Sequence, residues 1–140
     1  MGINFCPAFL SDAFAASPED SALMDEAERV EAAFIADPAS REKTEAWHRM
    51  QDRLMQMWRP GVKEIVDHID HAVRWAGLDH VGIGTDFDGI EVTPEGLEDV
   101  SKLPIIFDLL RRKGYSEDKI EKIAGQNFLR VFNDVISNSL

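Results

Sequence analysis

Cysteine is almost missing from this sequence: Cys6 stands alone among 140 residues. One cysteine cannot close an intrachain disulfide, and it cannot build a thiolate zinc site, which takes several. Such usage fits a reducing compartment. Long apolar runs are missing too, and none approaches the roughly 20 residues that cross a bilayer. The first residues lack the basic region of a secretory signal. These absences lead to the expectation of a soluble, cytoplasmic protein with no transmembrane segment. Positive charge is scarce as well, with 15 Lys and Arg against 26 Asp and Glu and a net charge of -11. A nucleic-acid backbone or an anionic membrane surface repels such a chain, so neither is expected as a partner.

What is present suffices for one domain: 44% of residues are hydrophobic and 29% charged, a balance that allows a core. Gly2-Ile3-Asn4-Phe5-Cys6 reads as a buried strand stopped by Pro7. Ser17-Pro18-Glu19-Asp20 carries the residues of a helix start, with a capping serine followed by proline and acids. That helix is expected to run to about Ala36, where Asp37-Pro38 breaks it. A second runs from about Ser40 to Trp58. The two form a charged helical hairpin over about residues 17–59, inserted into the single segment 1–140. Its second helix carries Trp47, Met50, Leu54, Met55, Met57 and Trp58, residues suited to packing.

Val62, Ile65, Val66, Ile69, Val73 and Ala76 follow the spacing of one apolar helix stripe, and Gly77 ends it. A strand is expected over His80–Thr85, then a turn at Asp86-Phe87-Asp88-Gly89. Helices follow from about Leu103 to Lys113, from Ser116, and after Gly125. The order strand, helices, strand, helices is the α/β pattern of parallel strands joined by helical crossovers. Two parallel strands leave two edges open and two faces to cover, so the sequence reads as part of a larger sheet or barrel.

The strongest local signal is Val81-Gly82-Ile83-Gly84-Thr85-Asp86-Phe87-Asp88-Gly89. Side chains alternate along a strand, so Val81 and Ile83 share one face while Gly82, Gly84 and Asp86 share the other. In a (β/α)8 barrel the outward face packs on helices, and the inward face at the C-terminal strand end holds catalytic groups. Asp86 has that parity and that place, with Gly82 and Gly84 leaving space beneath it. A plain turn-capping role fits Asp86 equally, and Asp88 before Gly89 suits turn formation better than chemistry. The pattern D-x-D-G also matches an aspartate-based phosphotransferase and the start of a calcium loop. The first needs a lysine and further acids downstream, where no paired aspartates appear, and in the second the glycine comes too early. Gly82-x-Gly84 lacks a correctly placed third glycine for a dinucleotide site.

His68-Ile69-Asp70 has the composition of a zinc chelate, but it lies mid-helix, where positions i and i+2 point apart. Glu64, His68 and His71 share a helical side that reads as a solvated face. His48 reads as a surface residue. No metal ligand is assigned.

The segments His68–Val73, His80–Gly89, Pro94–Lys102 and Gly125–Phe132, with Ile3-Asn4-Phe5 before them, resemble the last part of the membrane (renal) dipeptidases, peptidase family M19. The resemblance spans nearly the whole chain, more loosely over residues 11–60. It implies the C-terminal portion of a (β/α)8 TIM-type barrel whose parent hydrolyses dipeptides with two zinc ions. The family's zinc ligands come from strands before the one that opens this chain. None maps here, and no zinc is expected to bind this chain alone. What maps is the aspartate after the last strand, which falls on Asp86; in the family it contacts substrate and is suited to proton transfer. The chain is therefore expected to be a fragment, inactive without the missing N-terminal barrel portion. The alternative is a non-catalytic module that docks or self-associates as a homo-oligomer through open strand edges and the charged hairpin.

Overall fold

The computed structural model describes residues 1–15, 18–54 and 56–138. The first strand, β1 (Gly2–Ile3), leads into two single-turn helices, α1 (Pro7–Leu10) and α2 (Asp12–Ala15). Proline at the first helical position, where its missing N–H costs nothing, starts α1 where the sequence suggested only a stop. The hairpin follows as α3 (Pro18–Ala36) and α4 (Arg41–Leu54). Ser17, the expected cap of α3, and Met55 lie outside the described residues. The second hairpin helix ends at Leu54 rather than Trp58, and a turn in which the Met57 N–H donates to the Leu54 carbonyl replaces its last residues.

The two helices run antiparallel. Phe34 stacks on Trp47 at one end, with centroids 5.0 Å apart, and Arg53 pairs with Glu26 at 2.8 Å toward the other. Ala27, Met50 and Leu54 are buried there together with Val92, so the hairpin has a small core separate from the main one.

The helix α5 (Val62–Ala76) occupies the span its apolar stripe predicts. The Glu64 carboxylate accepts the Gly61 N–H at 2.9 Å, relieving one orphan donor of the first turn. At the other end Gly77 takes φ 88, a conformation open to glycine. Ile65, Val66 and Ile69 of the stripe are buried, with Ala72 beside them, and Val62 and Val73 are partly buried. Ala76 is exposed, because the last turn projects past the core.

The second strand, β2 (Gly82–Ile83), is shorter than expected, since Leu78–His80 winds into a 3-10 turn before it and His80 is exposed. It pairs with β1 in parallel, Gly2 opposite Gly82 and Ile3 opposite Ile83. Then come a 3-10 turn (Val100–Lys102), α6 (Pro104–Arg112), α7 (Glu117–Glu121), a wide π turn (Lys122–Gln126) and α8 (Asn127–Ser137).

Ile3, Phe5 and Val81 share the main core with Ile65 and Ile69 of α5, Ile106 and Leu110 of α6, and Ile120 and Ile123 beyond. The helices thus cover the strand face that carries Ile3 and Val81, as the alternation requires. The architecture is a mostly helical α/β arrangement around two parallel strands. Among the described residues no helix is long and apolar enough to cross a membrane.

Candidate active site

Parallel strands of matched register place their C-terminal ends side by side, and here those ends are Asn4 and the turn after Gly84. On the helix-covered face Phe5 meets Phe87 edge-on, with centroids 5.8 Å apart. On the opposite face the Asn4 amide Nδ2 donates to Asp86 Oδ2 at 2.9 Å. Asp86 therefore stands just past the end of β2, beside Asn4, and it is exposed there.

The local geometry also contains the turn role. Gly89 N–H donates to the Asp86 carbonyl at 2.9 Å. A Cβ on Gly89 would stand 2.5 Å from Asp86 Oδ1, so the carboxylate folds over a residue whose side chain would displace it. Asp86 has φ 61, and among the described residues it is the non-glycine residue recorded at positive φ. That left-handed conformation is uncommon for a side-chain-bearing residue; such strain tends to cluster at functional sites.

The space expected beneath Asp86 is not open. A Cβ at Gly82 would lie 2.5 Å from Phe128 Cε2, because the ring of α8 fills that hollow. A Cβ at Gly84 would lie 3.1 Å from the Gly2 Cα, so this glycine serves close strand approach. The glycines admit a ring and a backbone rather than a ligand.

Beside the Asp86 turn, a cleft of about 300 Å³ is lined by Glu31, Trp47, Gln51, Phe87, Asp88 and Glu91. The hairpin thus contributes to the surroundings of the strand end. The packing expected of Trp47 holds through its stack on Phe34. Asp88 is exposed at the turn.

The loop that follows is held firmly. Glu95 N–H donates to the Pro60 carbonyl at 2.9 Å, and Leu97 is fully buried. Glu98 accepts the Gly96 N–H at 2.9 Å, which keeps its carboxyl below the usual range. Asp99 caps the 3-10 turn through the Ser101 N–H at 2.7 Å, and the Ser101 bonds lower its carboxyl in the same way.

The histidines and acids of α5 do other work. Glu64 caps its helix, His68 Nε2 lies 3.3 Å from the Leu10 carbonyl, and His71 neighbours the Trp75 ring. Asp70 accepts the Tyr115 hydroxyl at 2.9 Å and is flanked by Lys113 and Arg74. The Tyr115 bond, and then the Lys113 ammonium, hold the Asp70 carboxyl below its ordinary range. Among the described residues no group of three or more His, Cys, Asp or Glu stands together to hold a metal ion.

One residue that the sequence did not single out is Asn127. It is buried at 6% exposure, and its Nδ2 donates to the carbonyls of Leu78 at 2.7 Å and Val81 at 2.8 Å. It fastens α8 to the entry of β2. An amide between a glycine-broken turn and an apolar helix is the sort of signal that marks such a tie, but its partners lie 46 and 49 residues away.

The family model of the membrane dipeptidases (peptidase family M19) matches residues 1–139. Among curated proteins, dipeptidase ataJ of Aspergillus terreus is 52% identical over 71 residues, 51% of this chain and 17% of its own length. Dipeptidase verJ of Clonostachys rogersoniana is 42% identical over 76 residues, 54% of this chain and 20% of its own length. The chain thus spans about a fifth of these relatives. Among solved structures, the probable dipeptidase PvdM from Pseudomonas aeruginosa superposes with a TM-score of 0.59 at 28% identity, covering 92% of this chain and 35% of that one.

Proposed function

Because the chain belongs to the membrane dipeptidase family, we propose that it forms the C-terminal portion of a (β/α)8 barrel that hydrolyses dipeptides, with Asp86 as its contribution to the reaction. The observation that carries this reading is the placement of the Asp86 carboxylate. It sits exposed at the C-terminal end of a parallel strand, within reach of the Asn4 amide, where barrel enzymes keep their reacting groups. In this role Asp86 accepts a proton during attack on the peptide bond or holds the free amine of the dipeptide. The helical hairpin (α3, α4) is an insertion after the strand that precedes it.

The described residues do not fit the two-zinc centre that the family implies, since they bring no three potential ligands together. No step is therefore derived through zinc, whose ligands we assign to preceding barrel strands. Two further features support a larger barrel. Among the described residues the sheet has two strands, with open edges. The helix α8 exposes Phe128, Leu129, Val131, Phe132, Val135 and Ile136 beside the strand face that carries Gly2 and Gly82. The non-catalytic association module is not favoured, since the dipeptidase match spans both strands and the Asp86 turn.

The test is an assay of zinc content and dipeptide hydrolysis, made on the purified chain and on the chain refolded with the preceding barrel portion of a family dipeptidase. The chain alone is expected to lack both. The assembly is expected to turn over dipeptides and to lose about 10²- to 10⁴-fold in kcat/KM on Asp86→Ala. Stoichiometric zinc with turnover in the chain alone overturns the partial-barrel reading. Full activity of the Asp86→Ala assembly overturns the role of Asp86.

A further inference from the structure

Asp86 is held from two directions, and turn chemistry explains only one of them. Turn closure accounts for the bond from the Gly89 N–H and for the absence of a side chain at residue 89. It does not account for a donor reaching Asp86 from a strand 82 residues earlier in the chain.

That donor is itself fixed. Asn4 Oδ1 accepts the backbone N–H of Cys6 at 2.6 Å. A backbone N–H only donates, so this bond decides which end of the carboxamide is oxygen. The NH₂ end is thereby pinned toward Asp86 Oδ2 at 2.9 Å. Phe5, between Asn4 and Cys6, is fully buried and meets Phe87, the neighbour of Asp86. Both sides of the two strand ends are thus clamped, by a ring pair on one face and an amide–carboxylate pair on the other. The Asn4 NH₂ offers only donors, and an ionised carboxylate offers only acceptors.

We propose that Asn4 is a positioning residue for Asp86: its carboxamide, locked by the Cys6 N–H, holds one carboxylate oxygen and so aims the group across the strand ends at the dipeptide. This rests on the reading that Asp86 acts on substrate. Asn4 acts through Asp86 and needs no contact with the dipeptide itself.

The substitution Asn4→Asp isolates the donor. It keeps an acceptor for the Cys6 N–H but faces Asp86 with a second carboxyl group. At neutral pH two ionised carboxylates repel; at lower pH a shared proton restores a hydrogen bond between them.

Two measurements test the proposal. On the purified 140-residue chain, NMR is expected to show a coupling between the Asn4 side-chain nitrogen and the Asp86 carboxyl carbon, and to show that carbon shifted in Asn4→Asp. An Asn4 amide behaving as a free surface amide, with the Asp86 carbon unmoved by the substitution, overturns the proposal whatever the activity. In the zinc-loaded assembly, Asn4→Asp is expected to lower kcat/KM about 10- to 100-fold at neutral pH, as misplacement of a reacting group does. Any fall in its melting temperature should be small and, like the kinetic deficit, should shrink as pH falls toward 5. A deficit independent of pH, or none, overturns the positioning role while leaving Asp86 in place. No turnover by the wild-type assembly, with the coupling present, is the failure of the Asp86 reading, and the positioning role falls with it.

Discussion

The ring of Phe128 occupies the space that a side chain at residue 82 would take, so a helix after the last turn and a glycine in β2 fit as one packing unit. Gly82→Ala puts a Cβ 2.5 Å from Phe128 Cε2 and 2.9 Å from Cδ2. Overpacking of this kind costs about 1–3 kcal/mol. The cost should fall in a Phe128→Ala background, because the obstructing atoms are gone. Urea unfolding of the four members of the cycle measures this. Equal costs in both backgrounds would show that the ring does not fill the hollow in solution.

The tie made by Asn127 gives a second expectation. Asn127→Leu keeps a similar branched shape but removes both donors, leaving the buried carbonyl of Val81 without this partner and that of Leu78 with only the long bond from the Val81 N–H. Unmade hydrogen bonds to buried groups cost about 1–3 kcal/mol each, so the variant should unfold at markedly lower urea. Amide exchange at Gly82 and Gly84 should also speed up, since they donate to the carbonyls of Met1 and Ile3. Asn133→Leu, an exposed change on the same helix, is the control and should do little.

These two contacts mark the boundary of what the sequence reveals. The spacing of Ile65, Val66 and Ile69, with Gly77 beyond, delimits α5 because helix periodicity and its stop signal are local properties. The place of Asp86 in the turn just past the second strand was legible for the same reason, since a strand and its turn residues are local signals. Asn4 was visible as a strand residue but not as the donor to Asp86, because that contact depends on strand register. The hollow at Gly82 read as open space, since nothing near it in sequence announces a ring 46 positions later. The loss of Met57 and Trp58 from the second hairpin helix is a boundary effect, of the kind that local propensity places least well.

The Asp70–Tyr115 pair leads to a pH expectation. Burial, and then the hydrogen bond to Asp70, push the Tyr115 hydroxyl up to about 12. A group that binds its proton more tightly when folded contributes stability that is complete below its unfolded value near 10 and is lost as pH rises toward 12. The Asp70 carboxyl is lowered, chiefly by the same bond, so its contribution is present above about pH 4 and fades in acid. Stability should therefore decline at both ends. Tyr115→Phe should flatten the alkaline limb between pH 10 and 12 in a series of urea titrations. An unchanged alkaline limb in that variant would dissociate the tyrosine from the effect.

The apolar face of α8 leads to the last expectation. Leu129 is 61% exposed and Phe132 63% exposed, on a helix whose other side carries Arg130 and Asp134 paired with each other. Soluble monomers seldom leave contiguous apolar patches beyond a few hundred Å² uncovered. The chain by itself should therefore associate as its concentration rises, and Leu129→Glu or Phe132→Glu should return it to a monomer in light scattering. Because both side chains are exposed, neither change should cost more than about 0.5 kcal/mol in unfolding. The same substitutions should weaken assembly with the preceding barrel portion, if α8 meets it as the proposed barrel requires. A wild-type chain that stays monomeric at high concentration, together with an assembly indifferent to both substitutions, would mean that this face has no cover to find and that the barrel closes elsewhere.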